Sequence, residues 1–174
     1  MGASVILHMV EISPRLVKGM VLVDGAVSFK KQLPVTQLPN FDPIRRASQD
    51  IISYYLTNAR LASILKSAYY HPANLSDIDI ANYYSRAVYG GWLDGLTIMT
   101  RDSSENAIDF AVKKDIPTLV IWGNKDTWVG RNIAEQIAAF TGGDLRVIEN
   151  AGHLSMEEAP DVFNPMVLEF LSQS

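Results

Sequence analysis

The 174-residue chain contains no cysteine. A disulfide framework and a thiolate metal site are thereby excluded, and a reducing, cytoplasmic setting is the expectation. No apolar run is long enough to cross a bilayer. The nearest approach, residues 3–12, has the length of a signal-peptide core but no basic stretch before it, and it carries His8 and Glu11; it reads instead as a buried helix. Positive charge is thin as well. Lys and Arg number 15 against 19 Asp and Glu, for a net charge of −4, and the bases cluster no further than the pairs Lys30-Lys31, Arg45-Arg46 and Lys113-Lys114. Nucleic acid is therefore a poor partner. No metal and no cofactor are expected. Tyrosine is missing from most of the chain, since all seven lie between Tyr54 and Tyr89, so none belongs to the expected sheet.

What is present suits one globular domain: hydrophobic residues make up 48% of the chain, enough for a real core at this length. The organising stretch is Pro-Thr-Leu-Val-Ile-Trp-Gly-Asn-Lys-Asp at 117–126. Residues 118–122 are an uninterrupted apolar run closed by Gly123, the pattern of a parallel strand buried on both faces. Asp126 follows the carboxyl end of that strand, where open α/β sheets carry their chemistry. A second strand, 145–148, ends near Gly152-His153 in the same way. One helix and one strand fit between them, and a right-handed crossover would bring Asp126 and His153 to the same edge of the sheet. A third buried strand is expected over 20–23, closed by Asp24-Gly25.

The rest of the chain is helical. Residues 2–12 are apolar nearly all round, as in a helix packed between sheet and neighbours, and Ser13-Pro14 stops it. Residues 30–40, with Pro34 and Pro39, read as a linker leaving the sheet. Asp42-Pro43 opens a helix over 44–56, and Asn58 caps a second that runs to about Tyr69 and ends at His71-Pro72. Ser76-Asp77-Ile78-Asp79 resembles a capping box for a third helix to about Tyr89, and a fourth follows Gly90-Gly91, from Trp92 to about Thr100. After Ser103-Ser104 a helix to about Lys114 returns the chain to the sheet. Ile133, Ala134, Ile137, Ala138 and Phe140 keep helical spacing up to a stop at Gly142-Gly143. The last helix carries a stripe of Val162, Phe163, Met166, Val167, Phe170 and Leu171; Pro165 in its interior should kink or divide it, with Asn164 capping the second part. His8 is expected to bond to backbone in the core, and His71 to sit at a helix end. The fold class is α/β: three parallel strands with flanking helices from 1–32 and 101–174, and an inserted helical bundle over 33–100. Trp92, Tyr54, Tyr84 and Trp128 are expected to line an apolar pocket.

Met1-Gly2-Ala3 before an apolar helix, then Pro14 and Val21-Leu22-Val23-Asp24-Gly25-Ala26, resembles the α/β-hydrolase stretch that directly follows the nucleophilic serine. Asp126 ahead of His153 likewise resembles the second half of that family's Ser…Asp…His order. The resemblance covers almost the whole chain and implies the C-terminal part of an α/β-hydrolase, with 33–100 as its helical cap. It implies that His153 is the base and that Asp126 fixes the imidazole tautomer. Asp24 reads as a loop-anchoring carboxylate, with the triad acid as its alternative role, since some members carry that acid after the earlier strand. No Gly-x-Ser-x-Gly occurs, and family members run to roughly 250–300 residues, so the expectation is a chain that begins just after its nucleophile. Ser4, a turn into the helix, is not expected to replace it. The implied activity is that of an esterase or lipase, or of a carbon–carbon bond hydrolase, on a small apolar or ester-like substrate. The alternatives are a non-catalytic remnant that binds a small apolar ligand or a protein partner, and one half of a split hydrolase completed by an N-terminal polypeptide. An unpaired edge on the strand over 20–23 would favour self-association.

Overall fold

Two apolar runs and the mixed segment Asp-Leu-Arg-Val-Ile form parallel strands, β1 (Met20–Val23), β2 (Thr118–Gly123) and β3 (Asp144–Ile148), in the order β1-β2-β3. The computed structural model describes residues 2–27, 57–87 and 116–173. The expected linker over 30–40 and the expected helices over 44–56, from Trp92 and up to Lys114 lie outside the described residues, as do Tyr54 and Trp92. The described helices are α1 (Gly2–Ile12), α2 (Asn58–Ala68), α3 (Asp77–Ala87), α4 (Arg131–Thr141), α5 (Ser155–Glu158) and α6 (Pro160–Gln173). None of them is long and apolar enough to cross a membrane.

The chain divides into two compact units, one of Met1–Phe29, Ser67–Asn74 and Ile108–Ser174, the other of Lys30–Lys66 and Leu75–Ala107. The first holds the sheet. Every residue of β2 is buried, as a middle strand covered on both faces requires. Because side chains alternate along a strand, Val120 and Trp122 point to one face and pack with Met20, Leu22, Ala3, Leu7 and Val10 and with Ala134 and Ile137 of α4. Leu119 and Ile121 point to the other, where Ile148 and Ala151 join them against Phe163, Met166, Val167 and Phe170 of α6. Segment 67–74, assigned from sequence to the insertion, belongs to the sheet unit, because its backbone is held by the residues around His153.

Several local expectations are corrected. Helix α1 is covered on one side only: Ala3, Leu7 and Val10 are buried, while Val5 is 64% and Ile12 80% exposed. Helix α6 runs through Pro165 undivided. Pro165 is its sixth residue, so its missing N–H removes a single early bond, and the apolar stripe on the sheet carries the remainder. The cap of α2 is Thr57, whose Oγ1 accepts the Arg60 N–H at 3.2 Å, while Asn58 is already helical. His8 pairs through Nδ1 with Glu11 Oε2 at 3.2 Å rather than with backbone, and its Nε2 is buried without a partner. In the second unit the box ahead of α3 forms reciprocally: the Ser76 N–H donates to Asp79 Oδ2 (3.1 Å) and the Asp79 N–H to Ser76 Oγ (3.2 Å). Gly142 ends α4 at φ 69°, a left-handed conformation that favours glycine.

Ile121, fully buried on the α6 face of β2, should cost about 3 kcal/mol on truncation to alanine. Val162, 47% exposed on α6, should change stability by less than about 0.5 kcal/mol on the same truncation. Urea unfolding of both variants checks the contrast.

Candidate active site

The carboxyl ends of β2 and β3 are stitched into one surface. Beyond the strands the ladder continues, with the Asn124 N–H donating to Ile148 O and the Lys125 N–H to Ala151 O, each at 2.9 Å. Asn124 Oδ1 accepts the Asn150 N–H at 2.8 Å, and its Nδ2 donates to Glu149. The approach needs glycine at the end of β2: a Cβ on Gly123 would lie 2.2 Å from Gly152 O and 2.4 Å from Ala151 O. Past that point the chain turns, with the Asp126 N–H donating to Gly123 O at 3.2 Å. Asp126 Oδ1 accepts the N–H groups of Trp128 (2.8 Å) and Val129 (2.9 Å). This local Asx-type arrangement spends one carboxylate oxygen on its own loop and leaves the other for a partner.

That partner is His153, whose Nδ1 lies 2.9 Å from Asp126 Oδ2. An ionised carboxylate only accepts, so the proton sits on Nδ1 and the neutral ring presents a lone pair at Nε2. The Asp126 side chain has 0% exposure and that of His153 21%, so the pair is covered from the acid's side and open from the base's. Trp128 packs its ring 5.0 Å from the imidazole at 31°, and its indole N–H donates to Ser67 Oγ at 3.2 Å. The His153 N–H donates to Ala68 O at 2.7 Å. The hydrogen bond to Asp126 raises the imidazole pKa above its ordinary value, against the opposing pull of burial. Such a base is protonated more readily and holds its charged form better. Among the described residues no hydroxyl is bonded to Nε2, and Ser4 Oγ donates to Ala26 O at 3.3 Å.

Asp24 has a different employment. It is 4% exposed and adopts φ 41° at the end of β1. Its Oδ1 accepts the Gly123 N–H at 2.8 Å, and its Oδ2 accepts the Ser155 hydroxyl at 2.5 Å and the Ser155 N–H at 3.3 Å. It therefore anchors the end of β2 and the start of α5, with His153 paired to Asp126. Burial pushes its carboxyl up from 3.8 to about 6, against the hydrogen bonds from Ser155 and Gly123.

Of the residues expected to line a pocket, Trp128 lies against His153 and Tyr84 is half-buried in the second unit. Tyr69 and Tyr70 belong to the sheet unit, where the Tyr69 hydroxyl donates to Glu157 at 2.5 Å and Lys125 Nζ stands 5.7 Å over the Tyr70 ring. Sequence reasoning did not single out Asn124, Ser155, Glu157 or Glu158 around this site. The only signal for the two glutamates is that they are adjacent acids in the short segment between His153 and Pro160.

A parallel sheet covered by helices on both faces, with an acid–histidine pair at its carboxyl edge, defines an α/β-hydrolase-type protein. The model of the Alpha/beta hydrolase family matches residues 1–166, and the chain belongs to that family. Its sequence is 34% identical over 59 residues to a 2-hydroxy-6-oxononadienedioate/2-hydroxy-6-oxononatrienedioate hydrolase of Klebsiella pneumoniae, covering 33% of this chain and 20% of that protein. A Pseudomonas putida enzyme of the same name is 39% identical over 56 residues, 32% of this chain and 20% of that protein. The fold is similar to the meta-cleavage product hydrolase of Pseudomonas fluorescens IP01 (TM-score 0.73, 18% identity, 98% of this chain and 61% of that one). It is also similar to an esterase of Thermogutta terrifontis (TM-score 0.67, 18% identity, 99% of this chain and 62% of that one). The chain thus spans about three-fifths of the length of these solved relatives.

Two titrations test the geometry. Replacing Asp126 by Asn removes the charged acceptor, so the His153 pKa should fall toward the unperturbed value of about 6.5; the Cε1–H resonance followed against pH reads this, and an unmoved curve would deny the pair. For Asp24 the folded state binds the proton more tightly than the unfolded chain. Its contribution to stability is therefore full below pH 3.8 and lost as pH rises through about 6. Relative to Asp24→Asn, the wild type should lose about 2 kcal/mol of unfolding free energy between pH 4 and pH 7. Parallel stability curves for the two proteins would remove Asp24 as a titrating element.

Proposed function

We propose that this chain carries the base and the orienting acid of a hydrolase that cleaves a carbon–carbon bond next to a carbonyl in a small, largely apolar acid. The observation that carries the reading is the 2.9 Å contact between His153 Nδ1 and Asp126 Oδ2 at the carboxyl edge of the sheet. The choice of bond rests on the names of the relatives, which include a 2-hydroxy-6-oxo-6-phenylhexa-2,4-dienoate hydrolase of Rhodococcus similar in fold (TM-score 0.67). In the net reaction water adds hydroxyl to the acyl carbon and a proton to the departing carbon. A base that takes a proton from an attacking oxygen and returns it to the leaving group is needed for both halves. His153 Nε2 is suited to that task, with Asp126 holding the tautomer and stabilising the imidazolium. This reading takes its nucleophile from outside the described residues, since Ser4 Oγ donates to Ala26 O and Ser155 Oγ to Asp24.

The test compares the chain alone with the chain fused behind the serine-bearing N-terminal part of the Pseudomonas fluorescens hydrolase. Loss of colour of a 2-hydroxy-6-oxo-dienoate reports carbon–carbon cleavage, and a p-nitrophenyl ester reports ester cleavage. The chain alone should stay at background. The fusion should turn over the dienoate, falling about 10⁴-fold with Asp126→Asn and at least as far with His153→Ala. A fusion active without His153, or turnover by the chain alone with a fluorophosphonate bound to Ser4, would overturn the assignment. Cleavage of the ester but not the dienoate would overturn the choice of bond.

A further inference from the structure

Glu158 belongs to no part of the acid–base pair, yet its carboxylate is more heavily bonded to backbone than any other acid around His153. Oε1 accepts the Gly152 N–H at 2.6 Å. Oε2 accepts the N–H groups of Tyr70 at 2.8 Å and His71 at 3.0 Å. Three main-chain donors on one carboxylate form a charge-assisted clamp. Helix α5 creates it by turning the chain back, so that a residue five positions after His153 reaches the loop just before it.

We propose that Glu158 is the positioning residue of His153, fixing where its imidazole is presented by clamping the amide of Gly152, the residue before it, to segment 69–71. The two successive amides at Gly152 and His153 are both secured on the same stretch of chain. The first reaches it through Glu158, and the second donates directly to Ala68 O at 2.7 Å. With both peptide planes held, His153 N and Cα are fixed in place, and only its φ and two side-chain torsions remain to bring Nδ1 to Asp126. The closeness of the clamp is visible at Gly152, where a Cβ would lie 2.4 Å from Ala68 O, 2.7 Å from Tyr70 N and 2.9 Å from Glu158 Oε1. Glu158 makes no hydrogen bond to the ring and acts only through the backbone. Its importance for turnover rests on the reading of His153 as the base, but its effect on geometry is read from the imidazole itself.

The experiment uses the 174-residue chain and follows two properties of His153 by NMR: the Cε1–H titration and the exchange rate of the Nδ1 proton. Variants Asp126→Asn, Glu158→Ala, Glu158→Gln and Thr141→Ala are compared, with thermal melting of each. Asp126→Asn sets the full fall in His153 pKa. Glu158→Ala keeps Asp126 and Asp24, the acids that bear on the imidazole, yet should give about half of that fall or more. It should also exchange the Nδ1 proton about tenfold faster, the factor that accompanies loss of one charge-assisted hydrogen bond. Glu158→Gln removes the same charge but keeps an acceptor for Gly152, so its exchange should lie between wild type and the alanine variant. Thr141→Ala, which removes a buried hydroxyl bonded to Ile137 O, should lower the melting point and leave both His153 signals unchanged. The proposal fails if the Glu158 variants only melt earlier, as the Thr141 variant does, with wild-type His153 signals. Should Glu158→Ala not fold, wild-type exchange in Glu158→Gln refutes it alone. If Asp126→Asn moves neither signal, the pair itself is refuted and the proposal with it; a response to Asp126→Asn without one to Glu158 refutes the positioning role only.

Discussion

Gly123 lets β2 and the loop after β3 approach so closely that any side chain at its place would collide with two carbonyl oxygens, at 2.2 and 2.4 Å from its Cβ. Around that contact the rest of the site is assembled. The Gly123 N–H goes to Asp24, its carbonyl starts the turn that carries Asp126, and the loop pressed against it is the one that delivers His153. A single glycine thus sets the separation of acid and base. Their 2.9 Å contact leaves little tolerance, because hydrogen bonds weaken steeply with displacement and misalignment.

Three carboxylates surround this point and each is satisfied differently. Asp126 divides its oxygens between its own loop and the imidazole, so it is rigid and still available. Asp24 is buried and ties β2 to α5, taking donors from Gly123 and Ser155. A buried acid with several donors is tolerated because those bonds offset much of the desolvation, and the remaining imbalance appears as its raised pKa. Glu158 spends both oxygens on main-chain N–H groups. In each case the carboxylate accepts backbone amides at the ends of elements, where the ladders no longer satisfy them.

Strands β1 and β2 were legible because burial on both faces leaves a continuous apolar run, and they fall where Met20, Val23 and Thr118 indicated. Helix α1 and the glycine stop of α4 were legible for the same local reasons. The capping box at Ser76 was readable because its partners stand three residues apart. Errors arose where a residue's role depended on a distant neighbour or on its rank in a helix. Pro165 looked like a break, but it comes early enough in α6 to remove one bond from a helix held by the sheet. Segment 67–74 looked like part of the insertion, because nothing in its own residues shows that Glu158, some 87 positions on, would bind its amides.

What the sequence by itself determined is whatever a short window of residues decides: three parallel strands, most limits of the described helices, and an acid and a histidine placed after successive strands of one sheet. Those features follow from side-chain period, glycine and proline, and the capping oxygens, all of which act within a few residues. Only the tertiary structure decided which acid meets His153, since Asp24 and Asp126 both follow buried strands and both carry a carboxylate. The choice was made by what else each could bond. Gly123 and Ser155 take both oxygens of Asp24 into the interior, while the turn after β2 leaves Asp126 Oδ2 aimed at the imidazole. Contacts between residues 27 to 131 positions apart depend on how the elements pack, and no local pattern records them.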